Sequence, residues 1–127
     1  MNVPLADGHR LFSRVPFNAA VTLHLNHQAL SVTLLDIALK GALVQTPNAM
    51  NLPLQEPCRL VLPLTEAGDS IEMEGKIVHL EGTHVGMKCE HIDLASLTRL
   101  RRLLELNTGD AELMDRELSL LFSSPRV

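Results

Sequence analysis

The feature of this sequence that most constrains its fold is an alternation of apolar and polar residues with a period of two, which recurs in six short segments. On a β-strand successive side chains point to opposite faces, so each segment buries one face and exposes the other. In VTLHLNH, for example, Val21, Leu23 and Leu25 alternate with polar neighbours. Turn-forming residues separate the segments, and six such strands in sequence indicate an antiparallel barrel or sandwich.

The period changes to that of a helix at Asp93, a residue suited to capping a helix N-terminus. Four leucines then recur at helical intervals: Leu94, Leu97, Leu100 and Leu104. The pattern is interrupted at 107–109, and Asp110 and Glu112 predict the start of a second helix that runs to about Phe122. We therefore expect one domain, with a flexible N-terminal arm at residues 1–18, a β unit at 19–92 and helices at 93–127.

The composition excludes several classes of partner. The formal net charge is −4, whereas a nucleic-acid-binding surface is usually basic. Trp and Tyr are absent, which argues against a platform of aromatic rings for single strands. The chain has no apolar run as long as a membrane span, and its first residues lack the order of a signal peptide. We expect a cytoplasmic protein that has neither nucleic acid nor membrane as a partner.

The sequence lacks the motifs of catalytic and metal sites. His24 and His27 are three residues apart on a predicted strand, so their side chains point to opposite faces. Cys58 and Cys89 have neither a zinc spacing nor a disulfide framework, and we interpret them as small buried hydrophobes. A nucleophile elbow and a phosphate-binding loop are both missing. The sequence therefore predicts a protein that is not an enzyme and holds no metal or cofactor.

Two short segments contain residues suited to binding a small anion. HRLFSRVPF, residues 9–17, places Arg10 and Arg14 four apart ahead of the first strand. DIALKGALV, residues 36–44, lies between two predicted strands and contains Asp36 and Gly41. Considered singly, the arginines are consistent with a solvated charge pair and the second segment with a plain hairpin connection. Their combination and order are more informative than either segment alone.

In this order the two segments resemble the motifs of the PilZ domain family, R-x-x-x-R followed further along the chain by [D/N]-x-S-x-x-G. Arg10 and Arg14 match the first motif, and Asp36 and Gly41 match the second. The resemblance covers about residues 9–122 and includes the helical pattern after the strands. It implies a mainly β fold with C-terminal α structure, in which a six-stranded antiparallel barrel is followed by two helices.

The resemblance also implies a ligand, the bacterial second messenger cyclic di-GMP, which has two phosphates and two guanines. In the family's pattern Arg10 and Arg14 would clasp the ligand, Asp36 would hydrogen-bond a guanine edge, and Gly41 would let the ligand approach the backbone. Arginine suits this role because its planar fork pairs with phosphate oxygens and with the O6 and N7 edge of guanine.

Three positions depart from the family pattern. Ala38 stands where the second motif has serine, so one hydroxyl is lost. His9 lies beside the first motif, where some relatives carry further arginines. His79 falls near the place where some relatives have a tryptophan that stacks on guanine, and its alternative interpretation is a hairpin residue with no special role.

The function implied is that of a non-enzymatic receptor or adaptor. Ligand binding would order the N-terminal arm and signal to an unidentified protein effector in motility, chemotaxis or exopolysaccharide control. The alternative is a PilZ-fold interaction module with weak or no cyclic di-GMP binding, for which Ala38 is the best support.

Overall fold

Six antiparallel strands close into a barrel in the computed structural model, which describes residues 15–25, 27–64, 68–109, 112–113 and 116–119. The strands are β1 (Val15–Leu25), β2 (Gln28–Ala38), β3 (Gly41–Gln45), β4 (Pro57–Pro63), β5 (Ser70–Glu81) and β6 (His84–His91). Around the barrel their order is β1–β2–β3–β6–β5–β4, and β4 pairs again with β1. The prediction of a six-stranded barrel is confirmed, and the sandwich is excluded.

The core fills the inside of the barrel with aliphatic side chains from alternate positions. Val21, Leu23 and Leu25 are buried as their spacing predicts. Inward-facing residues from each of the other five strands pack against them in the same core. Leu64 is an exception, with 38% of its surface exposed. It shares the phase of Leu60 and Leu62, but it follows Pro63, the last residue of β4, and so lies beyond the barrel wall.

The first strand begins at Val15, four residues before the boundary expected at residue 19. This strand includes Pro16, which has no amide hydrogen for a sheet ladder. In the structure Pro16 pairs with Asp36, and the register shifts between Pro16 and Ala19. Such an irregularity is where a sheet tolerates proline.

Helix α1 (Leu94–Thr108) follows the barrel and packs mainly on β5. It ends as predicted, with Gly109 in the left-handed conformation (φ 71°) and its amide donating to the carbonyl of Glu105. Further helical residues lie at 112–113 and 116–119, where the second helix was expected. None of the described helices is long and apolar enough to span a bilayer.

The buried face of α1 differs from the predicted leucine stripe at one position. Leu97, Leu100 and Leu104 are buried, but Leu94 is 77% exposed. The reason is that Ser96 is also buried and accepts a hydrogen bond from the Glu72 amide at 3.0 Å. Since each residue turns a helix by about 100°, including Ser96 in the buried face rotates Leu94 away from the barrel.

The N-terminal cap of α1 makes stability depend on pH. The hydroxyl and amide of Ser96 hydrogen-bond the Asp93 carboxylate, the amide at 3.0 Å, and hold the pKa of Asp93 below its usual 3.8. A lowered pKa means that the stabilisation is complete at neutral pH and is lost as the pH falls through the lowered value. We expect Asp93→Ala to lower the melting temperature at pH 7, and this difference to shrink below about pH 4.

The matched control for this prediction is Asp93→Asn, which keeps an acceptor for the amide but does not titrate. In thermal melts between pH 3 and 7, the melting temperature of Asp93→Asn should be higher than that of Asp93→Ala at every pH. Equal melting temperatures for wild type and Asp93→Ala at pH 7 would contradict the capping role.

Candidate ligand-binding face of the barrel

The segment that matched the second motif forms the tight connection between β2 and β3. Leu39 and Lys40 join Ala38 to Gly41, which pair with each other at the strand ends. One extra residue in β2, Leu35, shifts the register so that Asp36 lies opposite Leu43. Asp36 is half-buried and on its other side pairs with Pro16 of β1.

Gly41 is required by the packing of the neighbouring strand. A Cβ atom at this position would overlap the carbonyl oxygen of Met87 in β6, which is backbone and has no rotamer to change. The structure therefore explains this glycine by the close approach of two strands. Its expected second role, in letting a ligand approach, stays a prediction.

Asp36 belongs to a row of directly paired positions that crosses four strands on the outer face. The members of this row, called the Asp36 row, are Asp36, Leu43, Gly86 and His79. Their outward direction follows from the buried residues that flank them in sequence, such as Ala42 and Val44 beside Leu43. With strands about 4.8 Å apart, Asp36 and His79 are separated by about 14 Å along the row.

A second outward row runs parallel to the first, nearer the β2–β3 connection. Its members, called the lysine row, are Ala38, Gly41, Lys88 and Lys76. An inward-facing row separates the two, so they lie two residues apart, or about 7 Å, along β2, β3 and β6. On β5 the bulge at Val78 makes the separation three residues. The two rows define a face that contains every predicted site residue the structure describes.

His79 lies on this face beside a bulge in β5. The register between β5 and β6 shifts at Val78, which leaves Val78 and His79 both exposed. The imidazole Nε2 is 3.5 Å from Glu81 Oε1, and its side chain is 55% exposed. A Cβ at Gly86 would lie 3.0 Å from the Cβ of His79, so the absence of a side chain there leaves room for the histidine. The position is compatible with contact to a flat ligand.

The remaining predicted residues, His9, Arg10 and Arg14, lie outside the described residues. Chain connectivity nevertheless relates the second arginine to the face. Arg14 precedes Val15, which pairs with Ile37, the residue next to Asp36.

Sequence reasoning missed Leu43, Lys76 and Lys88 as neighbours of the predicted site. Alternation assigns Lys76 and Lys88 to the outer surface, whereas Leu43 lies within a short apolar run. The proximity of all three to Asp36 and Gly41 depends on strand order and register. One signal was available in the composition. The chain contains three lysines, and all three fall at or next to this face.

A separate surface cavity of about 350 Å³ lies against β4, β5 and β6 and includes Cys58 among its lining residues. Burial, with Glu56 and Glu90 nearby, raises the pKa of the Cys58 thiol to about 11. Burial likewise raises the pKa of Cys89 to about 11. Both are protonated near neutral pH, which makes them poor nucleophiles and metal ligands. Across the described part of the chain, acidic, histidine and cysteine residues form no group of three able to hold a metal.

Comparison with known families decides the classification. A sequence model of the PilZ domain matches residues 9–106, more than half of the chain, and the matched range contains both motif segments. The chain belongs to the PilZ domain family. Its barrel, the order of its motifs and its C-terminal helix are those expected of this family.

Solved PilZ structures share the fold at low sequence identity. The PilZ domain of CeSA from a cellulose-synthesizing bacterium is 15% identical with a TM-score of 0.58, and the match covers 76% of this chain and 96% of that one. The PilZ domain of YcgR from Escherichia coli, solved with c-di-GMP, is 13% identical with a TM-score of 0.61. That match covers 83% of this chain and 95% of the YcgR chain.

The Bacillus subtilis inhibitor of motility, MotI/DgrA, is 19% identical with a TM-score of 0.60. The match covers 74% of this chain and 50% of that one, so the PilZ domain here spans half the length of that relative. At these identities the three structures support the fold.

Proposed function

We propose that this PilZ domain is a cytoplasmic receptor for cyclic di-GMP that acts on a protein effector and has no enzymatic activity. The observation that carries the proposal is the pairing of Pro16 with Asp36. Pro16 follows Arg14 by two residues in sequence, and Asp36 supplies the carboxylate of the second motif. This pairing supports a site to which both motif segments contribute.

The chemistry of this face matches the ligand. The Asp36 carboxylate accepts hydrogen bonds, and guanine offers N–H donors on its base edge. Arg10 and Arg14 supply planar donors for phosphate oxygens, and the pairing of a guanidinium with phosphate is charge-assisted. At the other end of the Asp36 row, His79 and Val78 offer an exposed surface for a base.

The similar structures favour a signalling role. YcgR was solved with c-di-GMP, and MotI/DgrA is an inhibitor of motility. We propose that ordering of the N-terminal segment on the ligand changes the surface offered to a protein effector in motility, chemotaxis or exopolysaccharide control.

The experiment that tests the proposal is calorimetric titration of the full chain with cyclic di-GMP, with cyclic di-AMP as the matched ligand control. We expect micromolar or tighter binding of the guanine ligand and weaker binding of the adenine ligand, because Asp36 accepts from donors that adenine lacks. Absence of binding by calorimetry and by a second method at high ligand concentration would overturn the proposal.

A second candidate function is a PilZ-fold interaction module with weak or no ligand binding, and Ala38 is the observation that favours it. Ala38 is 6% exposed and pairs with Gly41 within the lysine row, so a serine hydroxyl here would lie at the proposed site. Its loss removes one hydrogen-bonding group from the motif.

Ala38→Ser tests whether the missing hydroxyl weakens ligand binding. A net hydrogen bond contributes about 0.5–1.5 kcal/mol, so we expect the variant to bind cyclic di-GMP up to about tenfold more tightly. Ala42→Ser is the matched control, since Ala42 is 8% exposed but faces inward; it should lower stability without raising affinity. Unchanged affinity in Ala38→Ser would remove this position from the site.

A further inference from the structure

All three lysines of the chain gather at one place on the barrel although they are distant in sequence. Lys40 lies in the β2–β3 connection, and its carbonyl accepts from the Cys89 amide of β6 at 2.7 Å. Lys88 pairs directly with Gly41, and Lys76 pairs directly with Lys88. The protein has a formal net charge of −4, so the charge of this lysine cluster is opposite in sign to that of the whole chain.

The paired lysines are unfavourable for the barrel by itself. Like charges directly opposite each other on neighbouring strands repel and destabilise a sheet. Lys76 is partly compensated by Glu90, whose carboxylate lies 3.7 Å from its ammonium group. Lys88 is exposed, and no ion pair joins it to any other residue in the described ranges. An anion bound between the two ammonium groups would relieve the repulsion.

The position of the pair relates it to the proposed ligand site. Lys88 is one strand spacing, about 4.8 Å, from Gly41. From Asp36 it is two strands across and two residues along, a Cα separation of about 12 Å. A ligand whose base contacts Asp36 therefore extends over the lysine row if its sugar–phosphate ring points toward the β2–β3 connection.

We propose that Lys76 and Lys88 bind phosphate oxygens of cyclic di-GMP, a role distinct from that of the two arginine and aspartate motifs. This inference rests on the proposed function. Lysine acts as a compact point charge without the directional fork of arginine. The lysine row thus attracts the phosphates and makes the binding affinity depend on salt, while Asp36 selects guanine.

The test is titration of the full chain with cyclic di-GMP at several salt concentrations, using Lys88→Gln, Lys76→Gln and the double variant. We expect each single variant to weaken binding by about five- to tenfold, and the double variant to show a clearly smaller loss of affinity with salt. Arg102→Gln is the matched control, because Arg102 is an exposed cation on α1 and should leave affinity unchanged.

Melting temperatures show whether the variants are folded, and relief of repulsion predicts that Lys88→Gln melts no lower than wild type. If wild type binds and the lysine variants keep its affinity and salt dependence, the inference is overturned while the proposed function stands. If wild type does not bind cyclic di-GMP at all, the proposed function and this inference both fail.

Discussion

We expect replacement of Arg14 with alanine to weaken cyclic di-GMP binding by at least about 100-fold. Hydrogen bonds to charged groups contribute about 1.5–3 kcal/mol each, and a guanidinium that grips one phosphate makes two of them. Arg14 immediately precedes Val15, whose partner Ile37 is next to Asp36 in β2. Calorimetry of the purified variant gives the measurement.

Two further variants make this result specific. Arg14→Lys keeps the charge but loses the planar fork, so its affinity should lie between those of wild type and Arg14→Ala. Arg102→Ala removes one positive charge from α1, away from the site, and should bind as wild type does. If Arg14→Ala retained wild-type affinity, Arg14 would have no part in binding.

Much of the fold was predictable because burial in a barrel follows the two-residue period of each strand. Val21, Leu23 and Leu25 show this directly. The structure differs from the local sequence pattern where a neighbour in space matters more than that pattern. Pro16 is tolerated in β1 because the register shifts beside it, and Leu94 is exposed because Ser96 takes its place against β5.

The candidate site was less predictable, because its composition depends on register. The β5–β6 hairpin pairs Glu81 with His84, and continuing that register would place Lys76 opposite Cys89. The bulge at Val78 shifts the pairing by one residue and brings Lys76 opposite Lys88 instead. The motif residues were identifiable from sequence, whereas the lysine row required the position of one bulge.

The largest expected effect on stability comes from Gly75→Ala. Gly75 is an inward-facing residue of β5 that pairs with Cys58 on one side and Cys89 on the other. An added Cβ would overlap the Lys88 carbonyl, and its other near neighbours are also backbone atoms of β6. No side chain can rotate to make room, so β5 and β6 must move apart at this position.

Overpacking costs typically about 1–3 kcal/mol, and a clash with backbone alone favours the upper end of this range. We therefore expect Gly75→Ala to lose about 3 kcal/mol of the free energy of unfolding, measured by urea denaturation. Gly82→Ala is the matched control, because Gly82 has φ 61° but nothing within 4 Å of its added Cβ. It should lose about 1–2 kcal/mol through backbone strain.

Comparing the losses in the free energy of unfolding of the two variants distinguishes a clash between strands from backbone strain. A greater loss at Gly75 than at Gly82 would show that strand contact limits this position, since only Gly82 requires a left-handed backbone. A loss at Gly75 no greater than at Gly82 would mean that the barrel can widen between β5 and β6. Because Lys88 and Lys76 are paired across this same boundary, such a barrel would not hold the lysine row at a fixed spacing.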